Sequence, residues 1–417
     1  MMINYSKSGT MFSFLYFFVI SLASAQVNYN VKIMSWNLLN FPNSTPTSDS
    51  TIRCPYYRTV VNYVQPDIMV TMENTSSTGA TWVLNNVMNS GIYHYEQGTF
   101  INGYDSDNSI YFRDSLFRFI SNIPIQTALR DISHFTLQFI PTGDTIHIFA
   151  VHLKASQGFE TNRAAEVALL RNVTNAFPTG TNFMVMGDFN IYTSLEPAYS
   201  DLLQDNAGDD GNFLDPLNMP GGWNYRPYSP YHTQSTRLTA FGGGATAGLN
   251  DRFDMILFSN AIQLPRGVYF LQGTYNAVGN DGNHFNQSIN NNVNTAVPVS
   301  VADALYYSSD HLPVELTLQI GPTSSISEQI KSEDVRVFPN PTTGNFYIQM
   351  EAQYSGHIQI TLTDLMGRIC YRSEVKKVDF GTNYFAVNLE KDVTSGIYLL
   401  TISDNKSLIN KKIAVNK

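Results

Sequence analysis

Polar residues that could handle a phosphate and a metal ion follow apolar runs at six places along the chain. The runs are SWN, TMEN, VHLKA, MGDFN, DRFDMILFS and SSDHLPV, which carry Asn37, Glu73, His152, Asp188, Asn190, Asp254, Asp310 and His311. Carboxylates and amide oxygens are the ligands that Mg²⁺ prefers, and histidines exchange protons near neutral pH. This inventory is typical of phosphodiester hydrolysis, in which a cation holds the phosphate while an imidazole serves the water or the leaving group.

These residues stand at the ends of predicted strands. Apolar runs predict strands over Val31–Trp36, Ile68–Met72, Ile146–His152 and Phe183–Met186, and most are apolar on both faces, as in sheets covered on both sides. From Val314 to Ile320 apolar and polar residues alternate, so Asp310 and His311 fall just outside a half-buried strand. The runs YYRTVVNYV and TNRAAEVALLRNVTNAF have helical spacing. The predicted class is α/β with stacked sheets.

Length and charge limit the possible functions. The chain has 417 residues, 25 Lys and Arg against 34 Asp and Glu, and a net charge of −9. Single cores stop growing near roughly 300 residues, so two domains are expected. The negative charge repels phosphates, so a nucleic-acid partner would need a local basic patch or metal ions. A tight, passive DNA-binding protein is disfavoured.

Composition divides the chain into four predicted segments. Residues 1–25, with the apolar run MFSFLYFFVISLA and a small-residue cleavage site, predict a signal peptide, since the run is too short for a stable membrane span. Residues 26–320 form a large α/β domain, and the polar stretch 321–334 is a linker. Residues 335–417 alternate in short runs typical of a small all-β sandwich. We expect a secreted monomer.

The six motifs, in this order, resemble the motif series of the endonuclease/exonuclease/phosphatase superfamily, the group of pancreatic deoxyribonuclease. The resemblance covers about Val31 to Ile320. It implies a four-layer α/β sandwich, two packed β-sheets flanked by helices, and a divalent cation, Mg²⁺ with Mn²⁺ or Ca²⁺ as alternatives. It also implies metal ligands at Asn37, Glu73 and Asp310.

The same resemblance implies the catalytic roles. Asp188 and Asn190 would position the water and the phosphate. Asp254 would orient His311, and His152 would contact the scissile phosphate or the leaving oxygen.

Some positions depart from the family pattern or leave a choice. Met72 stands where many members have Gln before the metal-binding Glu. In the stretch GYDSDNSIYFRD, Asp105, Asp107 and Asn108 are all candidates for the partner of His152. Tyr104 and Arg113 of this stretch are substrate-binding candidates.

Residues 335–417 resemble the C-terminal sorting domain of type IX secretion cargo, through FPNP, DLMGR, SGIYLL and a basic end. The resemblance implies export, contact with the type IX secretion machinery, and release to the medium or the outer-membrane surface. An ordinary carbohydrate-binding or adhesive β-domain is the alternative.

The expected function is that of an extracellular endonuclease on DNA or RNA, with nucleic acid as substrate. One alternative is a sphingomyelinase-like, phospholipase-C-like or phosphomonoesterase member of the same superfamily. Another is a catalytically idle surface-binding protein, which the complete set of motif residues disfavours.

Overall fold

The computed structural model describes residues 27–43, 51–206, 210–264, 267–321, 335–352, 356–379, 381–389, 393–403 and 408–417. The predicted signal peptide and all but the first residue of the predicted linker lie outside these ranges. Among the described residues, no helix combines the length and the apolar character that crossing a bilayer requires.

The first sheet, sheet A, has seven strands. They are β1 (Tyr29–Phe41), β2 (Ile68–Asn74), β3 (Tyr95–Gln97), β4 (Asp107–Arg113), β11 (Val268–Phe270), β12 (Asn276–Ala277) and β13 (Val314–Ile320). The order is β11-β13-β1-β2-β4-β3, with β12 paired to β13. The central pair β1 and β2 is parallel, whereas β13 runs antiparallel to β1 and β4 antiparallel to β2.

The second sheet, sheet B, has six strands. They are β5 (Phe117–Asn122), β6 (Ser133–Phe139), β7 (Thr145–His152), β8 (Phe183–Asp188), β9 (Phe213–Leu214) and β10 (Asp254–Ser259). The order is β5-β6-β7-β8-β10-β9, and only β7 and β8 are parallel. All strands predicted from the sequence are confirmed, but β1, β2 and β8 run further than predicted, so Asn37, Glu73 and Asp188 lie within strands.

The two sheets pack face to face. Apolar side chains of both, including Val70, Met72, Ile148 and Met186, form one buried cluster between them. Such burial contributes about 25 cal/mol per Å² of apolar surface removed from water. The two-sided apolar strands that the sequence shows are explained by this inner cluster together with helices on the outer faces.

Helices cover both outer faces. Among the described residues, the helices are α1 (Cys54–Val64), α2 (Ser77–Asn86), α3 (Glu160–Thr174), α4 (Pro197–Leu203), α5 (Asn260–Gln263) and α6 (Val299–Ser308), with 3-10 turns at Met88–Ser90 and Arg226–Tyr231. The short α5 is the exception, since its Ile262 joins the cluster between the sheets. Val60 of α1 and Leu305 of α6 pack on sheet A, whereas Leu170 of α3 and Leu202 of α4 pack on sheet B. The predicted four-layer α/β sandwich is confirmed.

The strands from Val335 onward form all-β sheets. These strands are β14 (Val335–Phe338), β15 (Asn345–Ala352), β16 (Gly356–Thr363), β17 (Ile369–Arg372), β18 (Lys376–Val378), β19 (Gly381–Asn388), β20 (Gly396–Ser403) and β21 (Leu408–Val415). The orders are β14-β15-β19 and β17-β16-β20-β21, with β18 paired to β16. The second, all-β part of the predicted fold is confirmed, while its boundaries stay a prediction.

Candidate active site

Strand register alone brings three of the predicted residues into a row on sheet B. His152 ends β7 opposite Asp188 on β8, and Asp188 is in turn opposite Asp254 on β10. The close approach of β7 and β8 requires a glycine, because a Cβ on Gly187 would lie 2.0 Å from Val151 O. One imidazole and two carboxylates therefore share one edge of the sheet.

Sheet A brings the remaining predicted residues to the same edge. Asn37 on β1 is paired with Met72, next to Glu73, and β13 beside β1 is preceded by Asp310 and His311. Ser309 ties them together, since its hydroxyl donates to Asn37 O at 2.6 Å and accepts from His311 N at 3.1 Å. Trp36 Nε1 donates to His311 O at 3.0 Å.

Polar contacts connect the two rows. Asn37 Nδ2 donates to Glu73 Oε1 at 2.9 Å and to Asp188 Oδ2 at 3.1 Å. His311 Nδ1 lies 2.7 Å from Asp254 Oδ2, and His311 Nε2 lies 3.6 Å from Asp188 Oδ2. The site is therefore built from both sheets, and Asp188 is the residue that all of these groups surround.

The backbone around Glu73 is strained. Glu73, Leu39 and Asn40 have φ values of 61°, 51° and 47°, and Asn190 has a φ of 50°. Non-glycine residues in this region cost about 1–3 kcal/mol each and cluster at functional sites. Here the strained turn lets Asn40 N donate to Glu73 Oε2 at 2.7 Å, so the strain fixes the carboxylate.

Burial and charge shift the pKa values of the central groups. Burial, reinforced by the negative charges of Asp254 and Glu73, raises the pKa of Asp188 to about 7, although His311 opposes this. Burial disfavours the charged form of His311, but Asp254, Asp188 and Asp310 outweigh it and raise the pKa of His311 well above its usual value.

His152 is shifted in the opposite direction. Burial, the nearby charge of Arg130 and then that of His311 lower the pKa of His152 well below its usual value. The two imidazoles of the site therefore favour opposite protonation states, which is typical of acid and base pairs.

The partner of His152 is an arginine that the sequence reasoning missed. Arg130 Nη1 lies 2.6 Å from both ring nitrogens of His152, and Arg130 Nε lies 3.7 Å from Asp105 Oδ2. Asp107 accepts from Gly103 N, and Asn108 donates to Ala150 O, so these two candidates have other partners. Arg130 belongs to an irregular loop, where no periodicity could have indicated it.

Gln234 is a second residue that was missed. Its Nε2 lies 2.6 Å from His311 Nε2 and 3.2 Å from Asp310 Oδ2. It stands in a Ser-, Thr- and Tyr-rich loop whose course the sequence pattern does not reveal.

The structure does not bring all predicted residues to the site. Arg113 is the last residue of β4, at the other end of the strand from Asp107. There its Nη1 lies 3.1 Å from Asp67 Oδ1, and its Cζ lies 3.2 Å from the centre of the Tyr93 ring. The antiparallel pairing of β4 with β2 carries Arg113 away from Glu73, and its substrate-binding role stays a prediction. Tyr104 is 75% exposed in the loop before β4, and its role stays a prediction.

Three residues offer ligand atoms to a metal ion. One atom each from Glu73, His152 and Asp188 lies within 4.8 Å of the other two. Since Arg130 Nη1 lies 2.6 Å from both nitrogens of His152 and a cationic guanidinium disfavours a metal ion beside it, the carboxylates are the better ligands for a hard cation. Asn37 Oδ1 accepts from Leu39 N at 2.9 Å, so its assignment as a ligand stays a prediction.

The oxygen atoms at this edge also fit a cation. Asp310 Oδ1 and Asp254 Oδ1 are buried without a hydrogen-bond partner among the described residues. Buried carboxylate oxygens without partners are costly unless a cation or water satisfies them. The donor set therefore suits a divalent ion bound by oxygens.

Comparison with known proteins agrees with this geometry. The model described as the endonuclease/exonuclease/phosphatase family matches residues 34–311, more than half of the chain. The chain belongs to this family. Its members are typically metal-dependent phosphoesterase hydrolases, related to nucleases and phosphatases. The model of the secretion system C-terminal sorting domain matches residues 336–416, which indicates secretion and implies interaction with the type IX secretion system.

Several solved structures are similar to the chain at low identity. A humanized TDP2 of D. rerio is 17% identical. The match covers 69% of this chain and 98% of the TDP2 chain, with a TM-score of 0.46. The human Nocturnin catalytic domain with bound sulfate is 18% identical. The match covers 71% of this chain and 97% of the Nocturnin chain, with a TM-score of 0.44. An endonuclease/exonuclease/phosphatase family protein of Bacteroides thetaiotaomicron is 16% identical. The match covers 70% of this chain and 99% of that protein's chain, with a TM-score of 0.45.

One curated relative matches over a shorter stretch. The endo-acting ulvan lyase of Formosa agariphila is 27% identical over 139 residues, which are 33% of this chain and 24% of the lyase. The match thus spans less than two thirds of that relative's length.

Proposed function

We propose that the protein is a secreted, Mg²⁺-dependent phosphodiesterase that acts as an endonuclease on DNA or RNA. The observation that carries this proposal is the convergence of Glu73, Asp188 and the Asp254–His311 pair at one edge of two packed sheets. A bound divalent cation would polarise the phosphate and lower the pKa of a water molecule. Glu73 and Asp310 would hold this cation, with Asn37 at their side.

The protein residues divide the remaining work. Asp188, whose pKa lies near 7, accepts the proton of the attacking water, and Asn190 places that water, because Asn190 N is fixed on Asp188 Oδ1 at 3.0 Å. In its protonated form, His311, held by Asp254 through Nδ1, donates from Nε2 to a phosphoryl oxygen, which takes the place of the Gln234 amide at this nitrogen.

His152 and Arg130 form the positive side of the site. Arg130 is 9% exposed and faces His152, so it can neutralise a phosphate oxygen that the net charge of the chain repels. A neutral His152 can donate to a phosphate or leaving oxygen while keeping Arg130 in place.

Plasmid nicking tests the proposal. The purified protein, starting at Gln26, is incubated with supercoiled DNA and with single-stranded RNA, in Mg²⁺ or in chelator. The matched control for His311→Ala is His94→Ala, since His94 lies on the surface with a side-chain exposure of 69%. We expect metal-dependent cleavage that His311→Ala reduces about 10²–10⁴-fold and His94→Ala leaves unchanged.

The outcomes separate the alternatives. No cleavage of either nucleic acid, with metal-dependent hydrolysis of bis(p-nitrophenyl) phosphate, would move the substrate to lipid or small phosphate diesters. No hydrolysis of any phosphate ester would contradict the proposal and favour an idle binding protein.

A further inference from the structure

A glycine-rich segment, Phe241–Gly248, lies against the carboxylate of Asp310. Ala245 N donates to Asp310 Oδ2 at 2.7 Å, and Gln234 Nε2 donates to the same oxygen at 3.2 Å. Asp310 is 3% exposed, and its Oδ1 has no hydrogen-bond partner among the described residues. Two donors therefore hold one oxygen, and the other oxygen is the one that Asp310 can offer to a ligand.

Gly244 leaves the room for this contact. It has a φ of 80°, and a Cβ there would lie 2.7 Å from Asp310 Cγ and 2.8 Å from Oδ2. Distances under 3.0 Å force one of the two groups to move. Any larger residue at this position would push the carboxylate away from its place.

The segment is fixed at its base and near its tip. Ser235 N donates to Gly248 O at 2.9 Å, and Gly248 N donates to Ser235 Oγ at 3.2 Å. Asn43 Nδ2, just after β1, donates to Gly242 O at 2.9 Å. Because these contacts hold the backbone, the segment can impose a position on Asp310.

The rest of Asp310 is fixed as well. Thr236 N donates to Asp310 O at 3.0 Å, and Thr236 Oγ1 donates to Ser309 O at 2.6 Å. The rotation of the carboxylate is then set by its two donors, Ala245 of the glycine-rich segment and Gln234.

We propose that the Gly244–Ala245 peptide is a positioning element that holds Asp310 by Oδ2, so that Oδ1 would remain available to bind a divalent cation. The inference rests on the proposed function only in that Asp310 binds the divalent ion. Neither Gly244 nor Ala245 touches the substrate in this role, since both act through Asp310. Residues that orient metal ligands in this way typically contribute about 10–100-fold to metal affinity.

The test measures Mn²⁺ binding to the full mature protein by calorimetry, without substrate. The variant is Gly244→Ala, and the matched control is Gly242→Ala, because Gly242 has a φ of 73° and nothing within 4 Å of its Cβ position. Both variants carry the same backbone penalty, and only Gly244→Ala meets Asp310. We expect Gly244→Ala to weaken Mn²⁺ binding about 10–100-fold and Gly242→Ala to leave it unchanged.

A double-variant comparison shows whether the effect passes through Asp310. In an Asp310→Asn background, Gly244→Ala should cause no further loss of Mn²⁺ affinity, because coupled changes are not additive. Should Gly244→Ala not fold, Gln234→Leu takes its place, since it removes the other donor to Oδ2. It should also weaken Mn²⁺ binding.

The Mn²⁺ affinities of these variants decide whether the peptide positions Asp310. Equal Mn²⁺ affinities of Gly244→Ala and Gly242→Ala, additive losses in the double variant, or no Mn²⁺ binding by the unaltered protein would each overturn the inference. Mn²⁺ binding that responds to Gly244→Ala, in a protein that hydrolyses no phosphodiester, would refute the proposed function and leave the positioning role standing.

Discussion

Replacement of Gly187 by alanine should damage both the fold and the site. Gly187 precedes Asp188 on β8 and has a φ of 142°, and its Cβ would lie 2.0 Å from Val151 O on the neighbouring strand. Ordinary van der Waals contact begins near 3.4 Å, so the parallel strands must separate by more than 1 Å. His152 and Asp188, which this pairing places side by side, must separate with them.

The expected cost has two parts. A backbone conformation that L-residues rarely adopt costs about 1–3 kcal/mol, and overpacking adds about 1–3 kcal/mol. Gly180→Ala is the matched control, since Gly180 has a φ of 83° in the loop before β8 and nothing within 4 Å. It carries the backbone cost alone. Gly187→Ala should therefore lower the free energy of unfolding by about 1–3 kcal/mol more than Gly180→Ala.

Tryptophan fluorescence during urea unfolding is the assay. The three tryptophans of the chain, Trp36, Trp82 and Trp223, all precede the linker, so the signal follows the two-sheet part alone. A separation of about 1 Å between reacting groups can cost 10²-fold in rate, so turnover should also fall. Equal unfolding free energies for the two variants would refute the steric argument.

Four further predictions concern the site and the tail. Asp254→Asn should lower kcat about 10²–10⁴-fold, because His311 loses its orienting charge; retention of more than about a tenth of the activity would contradict this role. Glu73→Gln should raise the Mg²⁺ concentration needed for half-maximal activity, and an unchanged titration would exclude it as a ligand. Burial, aided by His147, lowers the pKa of His134 from 6.5 to about 4. As the pH is lowered from 6.5 towards about 4, the unfolded state therefore binds a proton before the folded state does, so the free energy of unfolding should decrease over this range. Urea unfolding at several pH values should show this decrease, and the decrease should be smaller in His134→Phe. Deletion of Val335–Lys417 should leave hydrolysis by the purified protein intact and abolish surface delivery in cell fractionation.

The sequence predicts the strands, and it indicates most of the residues that meet at the candidate site, because both follow local patterns. Period-two alternation placed Asp310 and His311 outside β13, and two-sided apolar runs indicated covered sheets. The polar groups at strand ends could be grouped because the motifs occur in the family order.

Pairing and loop contacts lie beyond such patterns. Arg113 is a substrate-binding candidate of the stretch GYDSDNSIYFRD, but the antiparallel register of β4 places it at the far end of that strand from Asp107. Arg130 and Gln234 reach His152 and His311 only through the course of irregular loops, which depends on tertiary packing.

The order in which the site residues occur along the chain has a consequence for the cell that makes the protein. The contact from Ser309 to Asn37 spans 272 positions, and β13, which completes the site, enters sheet A beside β1. A nascent chain whose synthesis has not yet reached residue 320 lacks His311 or part of this strand. Under the proposed function, this order would keep the early part of the chain inactive toward the producer's own phosphate esters until the last strand of the site has been made.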